Sequence, residues 1–529
     1  MRMRICTSSE MRAIDEAADR EYGLDATILM ENAGRSAAQI ILEEFPSAGR
    51  ETEILVFAGK GNNAGDAFAV ARRLICLERK VRIFYLHPEG GYRGAVQKNF
   101  EILKKMKAKM TFLESGSDLA EFFNSSKGPY TVIDGILGTG LKGDLAGIFY
   151  EVIELINDLE TEVISLDIPS GVSGDTGNVL GTSINATLTI SFGFPKLGHF
   201  LPPGAARRGE LINVDISLPP KFRKDGDKFI LMKPAMGALL KERDRYGHKN
   251  SFGHTLLIGG HPGRLGAICM SAAAAHRVGT GLITVASWAE GFDNLLIKLP
   301  NETMAVPLVT SGPEYQNYRK TLATYSSVVI GPGFGMKPEG KQILSDLLLY
   351  YDGPVVIDAD ALNLISEYHL HELLAKRRAP TVLTPHPGEM ARLLGISSKE
   401  VTADPIKAIR DCVEKTHATV LLKGAATLIT NPDDVIYINH YPNDGMATAG
   451  SGDVLAGIIG GLVGQKIDAF QATLLGVYLH SLAGDFAARA LGHRSMTAED
   501  ITGNLHNAFK DLKDTPAPNV PVEVRARLR

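Results

Sequence analysis

Only four cysteines occur in 529 residues: Cys6, Cys76, Cys269 and Cys412, far apart and without a CxxC pair. That spacing excludes a disulfide framework and a structural zinc site, and each is read as a small packed hydrophobe in a reducing compartment. No apolar run approaches the ~18 residues of a membrane span. The start, Met1-Arg-Met-Arg-Ile-Cys6, has no apolar signal core. Long basic runs are also missing, and with a net charge of -4 this argues against a general nucleic-acid surface. The expectation is a cytoplasmic enzyme acting on small molecules, a homo-oligomer with neither nucleic acid nor membrane as its partner.

What is plentiful is glycine, 55 residues, which points to many tight loops. The length allows two or more domains, and the hydrophobic fraction of 44% is ordinary for a globular chain. Residues 8–45 read as helical. Strands at Glu53–Ala58, Val81–Leu86, Tyr130–Ile133, Val163–Leu166 and Ala186–Phe192 then alternate with helices at Asp66–Arg79, Ala95–Lys107 and Ile148–Asp158. Such alternation predicts a parallel sheet covered by helices, with ligands at the carboxyl ends of strands. The polar, proline-led string Pro219–Asp227 interrupts the pattern, so the domains are expected at 1–222 and 223–514. A second β/α series runs from Thr255–Ile258 through Leu282–Ala286, Ser327–Ile330, Val355–Ile357, Thr381–Leu383 and Thr419–Leu422. An antiparallel pair, Ala426–Thr430 with Val435–Ile438, and helices at Asp453–Val463 and Ala469–Ala490 follow. The proline-rich stretch 515–529 reads as a disordered tail.

In the first half, Gly59-Lys-Gly-Asn-Asn-Ala-Gly-Asp66 follows a strand and leads into a helix opening at Ala67. Such turns hold phosphates through backbone N–H groups. Asn62, Asn63 and Asp66 add oxygen donors, or Asp66 simply caps the helix. A second glycine loop, Gly138-Thr-Gly-Leu-Lys-Gly-Asp144, follows the strand ending at Asp134, and Asp167-Ile-Pro-Ser-Gly171 follows the next. Asn63, Asp134 and Ser170 are hard oxygen donors at strand ends, and a single carboxylate among them favours a monovalent cation. Asp167 is the candidate general acid/base, unless it only bonds loop amides. Lys196 and His199 lie in a loop where either can touch a ligand.

With Met11-Arg-Ala-Ile-Asp15 and Leu29-Met-Glu-Asn-Ala-Gly34, these motifs resemble, in order, the NAD(P)H-hydrate epimerase domain over about residues 7–218. The resemblance implies a Rossmann-like fold, bound potassium, and interconversion of the R and S forms of NADH or NADPH hydroxylated at nicotinamide C6. It places potassium at Asn63, Asp134 and Ser170. It places the hydrate at Asn62, Asn63, Ala64, Gly65, Asp66, Gly138, Thr139, Gly140, Leu141, Lys142, Gly143, Asp144 and Asp167. The family's usual string has glycines where Ala64 and Ala67 stand here. A methyl at Ala64 would weaken the epimerase if that residue had to be left-handed or touch substrate.

In the second half, Asn443-Asp-Gly-Met-Ala-Thr-Ala-Gly-Ser-Gly-Asp453 precedes an apolar run. Asp453 is either a helix cap or a base that takes a proton from a hydroxyl attacking phosphate. Gly331-Pro-Gly-Phe-Gly335, Asp358-Ala-Asp-Ala-Leu-Asn363, Thr384-Pro-His-Pro-Gly-Glu389 and Lys423-Gly-Ala-Ala-Thr427 all follow strands. His386, between prolines, has a restricted backbone and an aimed ring. Glu389 either contacts metal-bound water or serves as a first-turn anion. The order of these motifs resembles the ADP/ATP-dependent NAD(P)H-hydrate dehydratase, of ribokinase-like fold, over about residues 230–510. Fused in this order, the two halves resemble the bacterial bifunctional NAD(P)H-hydrate repair family.

The resemblance implies two three-layer α/β domains and a reaction in which ADP or ATP, with Mg²⁺, transiently phosphorylates the C6 hydroxyl. The ring nitrogen then expels phosphate; ADP as donor would leave AMP. It places the hydrate at Ala267, Gly335, His386 and Asp453. It places the nucleotide at Lys423, Gly424, Ala425, Ala426 and Thr427, and at Asn443, Asp444, Gly445, Met446, Ala447, Thr448, Ala449, Gly450, Ser451 and Gly452. The rival reading is a ribokinase-fold kinase for a vitamin or sugar, with a non-catalytic amino-terminal binding domain.

Overall fold

The computed structural model describes residues 3–126, 128–141, 143–240, 242–513 and 525–528. The chain divides into two compact units, one running from Arg4 to Gly226 and the other from Asp227. Among the described residues no helix is long and apolar enough to cross a membrane.

The first unit is built on an eight-stranded sheet. Glu53–Ala58 pairs in parallel with Val81–Tyr85 on one side and with Tyr130–Gly135 on the other. Lys109–Phe112 lies beyond the former; Glu162–Leu166, Leu188–Phe192 and Glu210–Val214 extend the sheet beyond the latter. Strand direction is uniform among these, and side chains alternate between two cores. Ile54, Val56 and Ala58 join one cluster with the helices Ala26–Glu44 and Asn62–Cys76. Leu55 and Phe57 join another with Ile148–Asn157. Period-two alternation with both faces apolar is what a helix-covered parallel sheet requires. The chain moves outward from Glu53–Ala58 first one way and then the other. Its switch point is therefore the crevice between the carboxyl ends of Glu53–Ala58 and Tyr130–Gly135.

Two readings of the sequence change here. The helix expected to open at Ala67 begins at Asn62, capped by extended Gly61, so Asn62–Asp66 form its first turn and Asp66 is no cap. The reason is packing: Ala64, Ala67, Phe68, Ala71 and Leu74 are all buried at helical spacing. Ala64 is thus a helical residue, and the left-handed conformation that would have penalised its methyl does not arise. Second, Arg525–Leu528 does not belong to a disordered tail; it forms an antiparallel edge strand on Glu210–Val214. Residues 515–524 and 529 of that expected tail, and Lys142, lie outside the described residues.

The second unit has an eleven-stranded sheet. His254–Ile258 pairs in parallel with Leu282–Trp288 and with Ser327–Ile330, which makes the gap between His254–Ile258 and Ser327–Ile330 its switch point. Val355–Ile357, Thr381–Leu383 and Thr419–Leu422 continue in parallel. Ala426–Thr430 runs antiparallel to Thr419–Leu422 and pairs antiparallel with Ile436–His440, the latter pairing being the one the sequence predicts. The helices Leu265–Arg277, Ser451–Gly464 and Ala469–Leu491 share a core with Leu257, Val285, Val329, Val356, Val382 and Leu421 on one face. Pro405–Thr416 packs on the other. Strands that the sequence pattern did not reveal are short or peripheral. Met304–Leu308 is an edge strand containing Pro307, a residue tolerated there because an edge leaves N–H positions unpaired.

Candidate functional site

Both switch points carry a glycine where two loops nearly touch. A Cβ on Gly59 would stand 1.9 Å from the Ile136 carbonyl oxygen, and one on Gly259 would stand 2.1 Å from that of Pro332. Each crevice is thus closed at its base by backbone, and side chains from neighbouring strand ends fill its wall.

In the first unit Asp134 is fully buried at the end of its strand. Its carboxylate accepts from the Ser170 hydroxyl at 2.5 Å, the Ser170 N–H at 2.9 Å, the Ser165 hydroxyl at 2.8 Å and the Ile136 N–H at 3.2 Å. Burial nevertheless pushes its pKa up. Asn63 donates its amide to the Leu137 carbonyl at 2.8 Å, and the Leu137 N–H donates to Ser170 Oγ at 2.8 Å. Asn63, Asp134 and Ser170 therefore meet around Leu137. Asn63 Oδ1 is buried and, among the described residues, has no hydrogen-bond partner. Such an orphaned acceptor is costly and suits a cation ligand. Gly138 lies against the Asn63 side chain, so the second glycine loop shares this crevice.

On the neighbouring strand end, Asp167 has φ +62°, a conformation that aspartate tolerates better than most residues. It is held there from several sides. Its N–H donates to the Ile190 carbonyl at 2.8 Å, and its carbonyl accepts from His199 Nε2 at 2.9 Å. His199 Nδ1 accepts the Lys196 N–H at 3.0 Å, which places the ring proton on Nε2. Burial holds the imidazole well below its ordinary pKa, so it stays neutral. Lys196, 1% exposed, forms an ion pair with the Asp167 carboxylate and donates to the Phe192 carbonyl at 3.1 Å. Two more carboxyls feel this pair. Burial pushes Asp15 up to about 6 and raises Asp66 well above the usual range, with Asp167 adding to both and Lys196 opposing. Asp15 Oδ1 is buried without a partner among the described residues. Asp15 closes the Met11–Asp15 motif, and nothing local in the sequence marks its carboxyl as part of a site.

In the second unit Lys423 is the hub. Its ammonium lies 2.8 Å from Asp358 Oδ1 and 3.8 Å from Glu389 Oε2. A Cβ on Gly452 would come within 3.3 Å of it. Burial works against its charge, but Asp358 and Glu389 outweigh burial and hold the pKa up. Asp453 sits in the first turn of Ser451–Gly464, whose cap Gly450 is left-handed at φ +93°. Burial, then Asp358, push Asp453 up to about 7 against the opposing Lys423. The Ser271 hydroxyl donates to the Asp453 carbonyl at 2.8 Å, tying this turn to the helix that begins near Ala267. Ala267 in turn faces the Gly331–Gly335 loop, where a Cβ on Gly333 would lie 3.2 Å from its methyl.

His386 caps Pro387–Leu394: its Nδ1 accepts the Gly388 N–H at 3.0 Å, while its own N–H donates to Glu389 Oε2 at 2.8 Å. Its Nε2 lies 3.4 Å from Glu389 Oε1, and the side chain is half exposed. Burial, with Lys423 and Arg392, lowers its pKa; burial raises that of Glu389. Gly335, φ +82°, donates its N–H to Asp360 at 2.8 Å, and Arg264 holds the same carboxylate at 3.1 Å. The structure thus gathers Ala267, Gly335, His386, Lys423, Gly452 and Asp453 around one crevice. It does not bring in the Asp444 side chain, which is 86% exposed and turned to His493. Thr427 donates to Gly424 and closes the tight hairpin after Lys423. The buried Asn443 Nδ2 lacks a partner among the described residues at the other end of the expected nucleotide strip.

Comparison with known proteins gives a consistent result. Residues 255–507 match the family described as NAD(P)H-hydrate dehydratase, and residues 26–198 match that described as YjeF-related protein N-terminus. A bifunctional NAD(P)H-hydrate repair enzyme of Moorella thermoacetica is 38% identical, over 97% of this chain and 98% of its own. That of Coxiella burnetii is 37% identical, over 92% and 95%. Among solved structures, an ADP/ATP-dependent NAD(P)H-hydrate dehydratase from Bacillus subtilis, co-crystallised with ATP and Mg²⁺, is 26% identical with a TM-score of 0.47, covering 54% of this chain and 98% of that one.

Proposed function

This chain belongs to the family of bifunctional NAD(P)H-hydrate repair enzymes, and from that premise we propose how its residues share the work. The chain epimerises the R and S forms of hydrated NADH or NADPH and dehydrates the S form in a nucleotide-dependent step; the vitamin or sugar kinase reading is set aside by its full-length relatives.

For dehydration, hydroxide is a poor leaving group and phosphate a good one. Asp453 takes the C6 hydroxyl proton as that oxygen attacks the terminal phosphoryl of the donor. The single observation that carries this is a carboxyl on a helix's first turn, next to the glycine whose added Cβ would come within 3.3 Å of the half-buried Lys423 ammonium. The backbone N–H groups of Ala449, Gly450, Ser451 and Gly452 meet the transferred phosphoryl, and Lys423 adds positive charge beside Gly452. Lys423–Thr427 and Asn443–Gly452 hold the nucleotide; Ala267, Gly335 and His386 hold the hydrate. ADP is the proposed donor. The donor set fits Mg²⁺: Asp358, Glu389 and Asp453 surround one ammonium, an excess of carboxylate that a divalent cation arriving with phosphates offsets. Its chemistry would be to neutralise phosphate charge.

For epimerisation, Asp167 is the general acid/base, aimed by its left-handed backbone and by His199. Asn62, Asn63 and Asp66, the glycine loop around Gly138, and Asp167 line the hydrate. The orphaned Asn63 Oδ1, with Asp134 and Ser170, fits potassium, which would anchor the crevice electrostatically. Supplying each purified epimer with ADP or ATP, and following NADH absorbance with phosphate release, tests the whole assignment. Recovery of NADH with free phosphate is expected, whereas a stable phosphorylated product would overturn it.

A further inference from the structure

One cavity of the second unit has no part in these roles. It measures about 430 Å³ and is lined by Met336, Asn363, Ser366, Glu367 and Arg392, a size suited to part of a small ligand. Its walls are continuations of the dehydratase crevice. Met336 directly follows Gly335. Arg392 lies on Pro387–Leu394, which His386 caps. Asn363, Ser366 and Glu367 lie on Ala359–Glu367, which starts at Asp358, the partner of Lys423.

Arg392 is oriented but not neutralised. Its Nε donates to Asn363 Oδ1 at 2.8 Å, and among the described residues it forms no salt bridge. Its charge reaches the crevice, because it works to lower both His386 and Glu389. Met336, 40% exposed, offers a polarisable thioether of the kind that packs on aromatic rings.

The hydrated ring is only one end of a dinucleotide. With its C6 hydroxyl at Asp453 and the phosphoryl donor over Lys423 and Gly452, the rest of the molecule must leave past Gly335 and His386. We propose that this cavity seats the pyrophosphate–adenosine half of the hydrated dinucleotide, with Arg392 pairing a phosphate and Met336 meeting the base. This rests on the dehydratase reading above and extends it. The phosphate can be the pyrophosphate, common to both substrates, or the 2′-phosphate of the NADPH form.

The chain's only tryptophan gives a probe. Trp288 stacks on Phe334 at 5.3 Å between ring centroids, beside Gly335. Energy transfer from Trp288 to dihydronicotinamide can be titrated in the full chain with NADH, NADPH and reduced nicotinamide mononucleotide, without phosphoryl donor. In wild type the mononucleotide is expected to bind more weakly than NADH. Arg392→Gln is expected to weaken the dinucleotides about tenfold, the scale of a lost charge-assisted hydrogen bond, with Arg392→Lys partly restoring them. Loss for NADH and NADPH alike assigns the pyrophosphate; loss for NADPH alone assigns the 2′-phosphate. KM for the S hydrate should rise with kcat near wild type. Unchanged affinity of Arg392→Gln for both dinucleotides, or mononucleotide binding as tight as NADH, overturns the proposal. If wild type binds as expected but does not dehydrate the S form, the parent reading fails and the cavity assignment stands.

Discussion

Asp453 is costly to ionise where it stands, and that cost is visible in two ways. Its pKa, pushed up to about 7 by burial and Asp358, means that a base role switches on only as pH rises through about 7. Dehydratase kcat/KM should therefore fall about tenfold per pH unit on the acid side; a flat profile there would remove Asp453 as the base. Asp453→Asn should abolish dehydration and leave hydrate binding. The same residue should also report in stability. A carboxyl with a folded pKa above its unfolded value binds its proton more tightly in the folded state, so its contribution is present at low pH and is lost as pH rises through about 7. Asp453→Asn should accordingly stabilise the protein above that pH by roughly 1–3 kcal/mol, discounted for partial exposure, and do little near the unfolded carboxylate pKa. Thermal unfolding at both pH values checks this. In the other unit, Asn63→Ala removes the orphaned acceptor. It should make R/S exchange insensitive to replacing potassium by a larger organic cation, while wild type slows.

Helices carry Asn63, Ala267 and Asp453, and their packing sets the tolerances. Ser451–Gly464 meets Leu265–Arg277 at Gly457, where a Cβ would stand 2.2 Å from the Ser271 carbonyl oxygen. The Ser271 hydroxyl also fixes the Asp453 carbonyl. Gly457→Ala must push the helices apart, so a loss of about 1–3 kcal/mol should come with a lower dehydratase kcat; unchanged stability would show that the helix pair is looser than its geometry. Helix Asn62–Cys76 poses the opposite question. Ala64 is buried and helical, so Ala64→Gly should cost about 1 kcal/mol in helix propensity plus its methyl burial, without accelerating R/S exchange. Faster exchange in that variant would mean that the methyl touches substrate.

At the scale of the whole molecule, the two units have their own sheets and their own cores. The two chemistries should therefore be separable by single substitutions in the full chain. Asp167→Asn should leave dehydration of the S form intact and strand the R form. Asp453→Asn should still equilibrate the epimers, as chromatography of the two forms would reveal. An equal mixture of the two variants should repair R hydrate, because the intermediate is a free small molecule; failure of the mixture would require direct transfer within one chain.

The sequence alone determined the β/α alternation, the strand-end loops and the five motifs of the second half, because periodicity and glycine placement are local properties. Its motifs taken together moved Asp453 from cap towards base, but it read Asn62–Asp66 as a loop and gave no role to Arg392. Only the tertiary structure shows that Asn62 opens a helix, that Gly450 rather than Asp453 is the cap, and that Arg392 lines a cavity beside Asn363. Asp358 and Lys423, 65 residues apart in the chain, flank Asp453 because parallel strands bring their carboxyl ends to one edge. Asn63 is turned by its amide's bond to the Leu137 carbonyl, 74 residues away, which leaves its buried Oδ1 without a partner among the described residues. Burial and charge at a site are sums over groups distant in sequence, and no local pattern contains them.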